Sequence, residues 1–125
     1  MELQGKKTVL IVEDNPLNMK LESDLLEING FFVLKASCGK EAFDILNNSI
    51  PDMILLDIRL PDINGCELFK KIKQDLRFNA VKIIAVTASV TKEEEQEIKK
   101  SGFDGFIAKP ISIKDFVRQI KEKIA

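Results

Sequence analysis

The chain of 125 residues contains no histidine, no tryptophan and no tyrosine, and only two cysteines. Without histidine there is no imidazole for the usual zinc sites and none for a histidine-based catalytic triad. Cys38 and Cys66 stand apart with no CxxC spacing, so neither a thiolate metal cluster nor a disulfide framework is indicated. A reducing cytoplasm is the expected setting. No apolar run approaches the ~20 residues of a membrane span. The N-terminal MELQGKK lacks the apolar stretch of a secretory signal. Charge of one sign is lacking too: 19 Lys and Arg against 20 Asp and Glu leave a net charge of −1. No global field therefore draws the chain to nucleic acid or to an anionic membrane. What remains is 45% hydrophobic and 31% charged residues, the composition of an ordinary globular domain, expected to occupy residues 1–125 as one unit.

Short apolar runs alternate with helix-like segments five times, which predicts an α/β fold. The expected strands are 8–12, 32–36, 53–57, 82–87 and 105–108. Their near-continuous apolar character suggests parallel strands covered on both faces, with the second and most polar at an edge. Asn15 and Pro16 read as N-cap and first helical residue, because proline gives up only an N–H that would be unsatisfied anyway. Leu17, Leu21, Leu25 and Ile28 are the expected buried stripe of that helix, and Gly30 its stop. Asn64 with Glu67 suggests a capping box before Leu68, Ile72 and Leu76. Ser112 with Asp115 suggests a cap before Phe116, Ile120 and Ile124. Ala42, Ile45 and Leu46 are the apolar contacts of the second helix. The fourth helix, TKEEEQEIKK, is capped by Thr91 and Glu94 but offers only Ile98 to a core, so it should be loosely held.

Four apolar runs end in chemistry: VLIVED, MILLDI, KIIAVTA and GFIAKP. In an open parallel sheet the carboxyl ends share one edge, where ligands bind. Glu13, Asp14, Asp57, Thr87 and Lys109 would converge there. Three close carboxylates repel one another and so point to a divalent cation, and an all-oxygen donor set suits magnesium. Lys109 and the Thr87 hydroxyl could hold an anion beside them. Those parts fit phosphoryl transfer to a carboxylate, with Asp57 as nucleophile, since a carboxylate is already ionised at neutral pH and needs no general base.

The motifs LIVEDN, ILLDIRLPDINGCEL, IIAVTA and FIAKPI, in that order and spacing, resemble the receiver domains of two-component response regulators over essentially the whole chain. The resemblance implies a doubly wound five-stranded parallel sheet of order 2-1-3-4-5. It implies Glu13 and Asp14 as the acidic metal pair, Asp57 as phosphoacceptor, and Arg59 as donor of a backbone carbonyl to Mg2+. Thr87 and Lys109 would bind the phosphoryl group, Phe106 would be the switch aromatic, and Lys109-Pro110 a cis peptide. Phe106 departs from the tyrosine of some members and has no hydroxyl to donate. The implied donor is a histidine kinase or histidine phosphotransfer protein. A downstream protein would read the face formed by the fourth helix, fifth strand and fifth helix, without nucleic-acid binding or membrane insertion. Arg59 and Ser89 occupy positions expected to modulate hydrolysis. Arg59 is expected to obstruct the attacking water, with Ser89 too short to hold it aside and Glu13 or Asp62 as candidate partners. One alternative is a haloacid-dehalogenase-type phosphohydrolase, although Arg59 stands where that family places a second acid. Another is a flavin or nucleotide binder, although EDNPLN lacks the glycines and hydroxyls of a phosphate cradle.

Overall fold

The computed structural model describes residues 6–88 and 91–124. The strands are β1 (Thr8–Val12), β2 (Phe32–Ala36), β3 (Met53–Asp57), β4 (Lys82–Thr87) and β5 (Gly105–Ala108). They alternate with α1 (Pro16–Ile28), α2 (Gly39–Leu46), α3 (Gly65–Lys73), α4 (Lys92–Ser101) and α5 (Ile113–Ile124). All strand pairs are parallel and the order is β2-β1-β3-β4-β5. Every residue of β3 is buried, as expected for a central strand covered on both sides, whereas β2 at the edge is mostly exposed or half-buried.

Alternation along the strands splits the core into two layers. Leu10, Val12, Ile54, Leu56 and Ile83 pack with Ala42, Leu46, Leu68 and Ile72 of α2 and α3. Val9, Ile11, Leu55, Ile84 and Val86 pack with Leu26 of α1 and with Phe116 and Ile120 of α5. The sheet is thus sandwiched between two helix layers, while its edge strands β2 and β5 remain partly exposed.

Helix starts follow local chemistry. Asn15 Oδ1 accepts from the amides of Leu17 and Asn18, with Pro16 opening α1. Thr91 and Glu94 form a reciprocal capping box on α4. Ser112 Oγ accepts from the amide of Asp115 ahead of α5. α2 is different. Its N-cap Cys38 makes no side-chain cap, and Asp62, far along the chain, accepts from the amides of Gly39 and Lys40 instead.

Three expectations need correction. The buried face of α1 is not the leucine stripe: Leu17 is 79% and Ile28 81% exposed, while Glu22, Ser23 and Leu26 are buried. Leu25 of that stripe does pack, half-buried, beside Leu26 against the core, and Leu21 is half-buried, so the inner face is rotated toward Glu22 and Leu26 rather than reversed. Leu76 is also out, at 77% exposure, because α3 stops at Lys73. A single 3-10 turn over Leu76–Phe78 follows and buries Phe78 in its place. Finally, Asn64 caps α3 by accepting from the amide of Cys66. The reciprocal bond from Glu67 that would complete a capping box is not among its contacts.

Candidate active site

β1 and β3 are neighbours in register, with Val12 opposite Leu56, so the residues that follow them meet at one edge. Oxygens of Glu13, Asp14 and Asp57 lie within 4.8 Å of one another, and the first and last of these residues are buried while Asp14 is exposed. Backbone hydrogen bonds set the arrangement. The amide of Glu13 donates to Ala36 O at 3.0 Å and carries the β1–β2 pairing one residue past the end of β1. The amide of Asn15 donates to Glu13 Oε2 at 3.1 Å. The amide of Arg59 donates to Asp57 Oδ1 at 3.0 Å.

Lys109 enters from the far side. Its amide donates to Thr87 O at 2.8 Å, holding the end of β5 against β4, and the next peptide, Lys109-Pro110, is cis. Its Nζ lies 2.7 Å from Glu13 Oε1 and 3.1 Å from Asp57 Oδ2, so one ammonium bridges two buried carboxylates. Burial pulls the Lys109 ammonium down, but Glu13 and Asp57 outweigh it and hold the pKa above the ordinary 10.5. Burial pushes the Asp57 carboxyl up from 3.8. The Arg59 amide opposes this, the Glu13 charge reinforces it, and Lys109 opposes it again.

The open crevice above these groups is lined by Glu13, Asp14, Asn15, Asp57, Arg59 and Lys109. Thr87 is buried at the end of β4, level with Ala108. Phe106 stands away from the crevice on the edge strand, half exposed. It lines a separate cavity with Ile84, Gln119 and Lys123. Ser89 lies outside the described residues. The guanidinium of Arg59 is held by neither Glu13 nor Asp62. Arg59 Nη2 lies 3.1 Å and 3.4 Å from the two carboxylate oxygens of Glu94.

The sequence did not single out Glu22. This side chain is 1% exposed, and its Oε2 has no hydrogen-bond partner among the described residues. Burial pushes its carboxyl from 4.5 up to about 8, and the charge of Glu13 and a hydrogen bond shared with it add to the rise. Lys109 opposes the rise and the Asp57 charge adds to it, so the buried Glu22 carboxyl is tied electrostatically to the site above it. The available signal was its position four residues before Leu26, one helical turn away on the face that is buried.

The oxygen-only trio fits a hard divalent cation such as magnesium, which takes a few carboxylates and keeps several waters. A carboxylate cluster able to hold such a cation, beside a lysine-bound aspartate at the carboxyl edge of a sheet of this order, is the arrangement of a receiver-type signalling domain. The chain belongs to the response regulator receiver domain family, which matches residues 9–121. It is 44% identical over 115 residues to the polar-differentiation response regulator DivK of Brucella ovis, covering 92% of this chain and 94% of that protein. Among solved structures it superposes on a CheY-like receiver domain protein of Methanospirillum hungatei with TM-score 0.88 and 32% identity, over 96% of this chain and 94% of the other. The chemotaxis response regulator CheY4 of Vibrio cholerae gives TM-score 0.88 at 24% identity, over 94% and 98% of the two chains, a likeness of fold alone. The phosphohydrolase alternative finds no support in these comparisons. Among the described residues no helix is long and apolar enough to cross a membrane.

Proposed function

We propose that Asp57 accepts a phosphoryl group from a histidine kinase or histidine phosphotransfer protein, and that the resulting aspartyl phosphate switches the surface read by a partner. The observation that carries this reading is the setting of Asp57. One of its oxygens accepts from the Arg59 amide and the other faces Lys109, with Glu13 and Asp14 alongside.

In the reaction a carboxylate oxygen of Asp57 forms a bond to phosphorus as the bond to the donor nitrogen breaks. No proton has to leave the nucleophile. Lys109 faces Asp57 Oδ2 and supplies positive charge as the equatorial oxygens gain negative charge, with positioning contributing much of the remaining rate. Bound at Glu13, Asp14, Asp57 and the Arg59 carbonyl, Mg2+ would neutralise charge on the phosphoryl oxygens. Once phosphorylated, Asp57 no longer offers Lys109 the same carboxylate, and Thr87 provides a hydroxyl at the adjoining strand end. Movement of Thr87 toward the phosphoryl oxygen, with Phe106 turning into the space behind it, would alter the face of α4, β5 and α5. The domain would control its partners by binding, with turnover limited to its own phosphorylation and dephosphorylation.

Incubation with acetyl phosphate and Mg2+ should add one phosphoryl group, and mass spectrometry should place it on Asp57. Asp57→Asn should abolish it, and Asp14→Asn should weaken magnesium-dependent labelling. A single adduct that persists unchanged in Asp57→Asn refutes the assignment.

A further inference from the structure

One carboxylate on α4 does two jobs. Glu94 is the third residue of the helix, where its Oε1 accepts from the Thr91 amide at 3.3 Å and completes the capping box. The same carboxylate pairs with Arg59 Nη2 through both oxygens, at 3.1 Å and 3.4 Å. Arg59 is two residues beyond Asp57, lines the crevice, and has its own amide fixed on Asp57 Oδ1. Glu94 instead faces the groove between α3 and α4 with Lys70 and Glu97. The backbone of Arg59 is therefore anchored at the phosphoacceptor while its guanidinium is drawn toward the start of α4.

We propose that Glu94 is a positioning residue for Arg59, and that by holding the guanidinium at α4 it shortens the lifetime of the aspartyl phosphate. The inference rests on Asp57 being the phosphoacceptor. In hydrolysis a water oxygen bonds to phosphorus opposite the Asp57 oxygen. The phosphorus–oxygen bond to Asp57 then breaks, returning the carboxylate, and one water proton stays on the phosphate while the other goes to solvent. The attack needs an open line behind phosphorus. A phosphoryl dianion on Asp57 competes with Glu94 for the same planar cation, because guanidinium binds either anion through its fork of N–H donors. Paired with Glu94, the guanidinium leaves that line clear. Released, it lies over the phosphoryl group and blocks it.

Glu94→Gln isolates this role, because glutamine still closes a capping box but carries no charge to hold arginine. After labelling with acetyl phosphate and removal of the donor, loss of phosphate should be slower in Glu94→Gln than in wild type. The expected change is roughly two- to fivefold, the range open to an exposed ion pair. Arg59→Gln should lose phosphate faster than wild type, and the double variant should match Arg59→Gln. High salt should slow the wild type toward the Glu94→Gln rate by screening the pair. Unlabelled wild-type protein overturns the phosphoacceptor reading and this inference with it. Labelled protein in which Glu94→Gln leaves the rate unchanged, or changes it equally with and without Arg59, overturns this inference alone.

Discussion

Glu22 gives the protein a pH dependence that its composition would not suggest. Unfolded, this carboxyl titrates near 4.5; folded, burial and then Glu13 lift it to about 8. Between those limits the unfolded chain has released a proton that the folded chain keeps, so stability falls as pH rises and the loss is complete above the folded value. Each pH unit spent in that condition costs about 1.4 kcal/mol. Between about pH 5.5 and about pH 7.5 the metal-free protein should therefore lose on the order of 2 kcal/mol through this residue. The absence of histidine makes the window clean, since the side chains that ordinarily titrate there are missing. Asp57 is also raised by burial and shifts stability in the same direction, which is why a variant comparison is needed. Glu22→Gln keeps a donor for Glu13 but has no proton to lose. Urea denaturation with a chelator present should find the variant close to wild type at the acidic end and on the order of 2 kcal/mol more stable at the alkaline end. A wild-type stability that holds level or rises over this range, or a variant that keeps the full slope, would refute the reasoning.

Asp57→Asn should stabilise the metal-free protein by about 1 kcal/mol, since it removes a buried charge facing Glu13, and magnesium should shrink the gain; chemical denaturation with and without the ion checks both. Gly65→Ala should destabilise by about 2 kcal/mol or more, because the added Cβ would sit 2.6 Å from both Asp57 O and Ile58 Cα, backbone atoms with no rotamer to escape into. A wild-type melting temperature in that variant would contradict the packing described. Asp62→Ala should lower amide-exchange protection at Gly39 and Lys40, the two donors that Asp62 satisfies, while leaving α5 protected.

All five strands could be read from the sequence because each is a short apolar run, and a central parallel strand leaves no alternative face to confuse the reading. The acidic trio was legible for a related reason: Glu13, Asp14 and Asp57 sit at or just past strand ends, and parallel topology brings such ends together. α1 misled because it carries apolar side chains on more than one face. Which face goes inside depends on how the turn after β1 launches the helix, and that is a tertiary fact. The same rotation hid Glu22, since a glutamate in an amphipathic helix reads as solvent-facing. Arg59 was seen as a residue of the crevice, but its partner lies across a tertiary gap from α4 that no spacing rule spans.

Helix α4 keeps one fully buried side chain, Ile98, and its neighbours are Ile58, Cys66 and Ala85. Ile58 adjoins Asp57, and Ala85 lies on the strand that ends in Thr87. The helix thus rests on a single apolar foot planted beside Asp57, worth roughly 1.5–3 kcal/mol by burial. If phosphorylation of Asp57 shifts that foot, as the proposed function has it, a partner that prefers one placement feeds the preference back to Asp57, because coupling between two binding events is reciprocal. Under the proposed function, occupancy of the α4 face would then set how readily Asp57 holds a phosphoryl group, so the domain would measure its listeners as well as its donor.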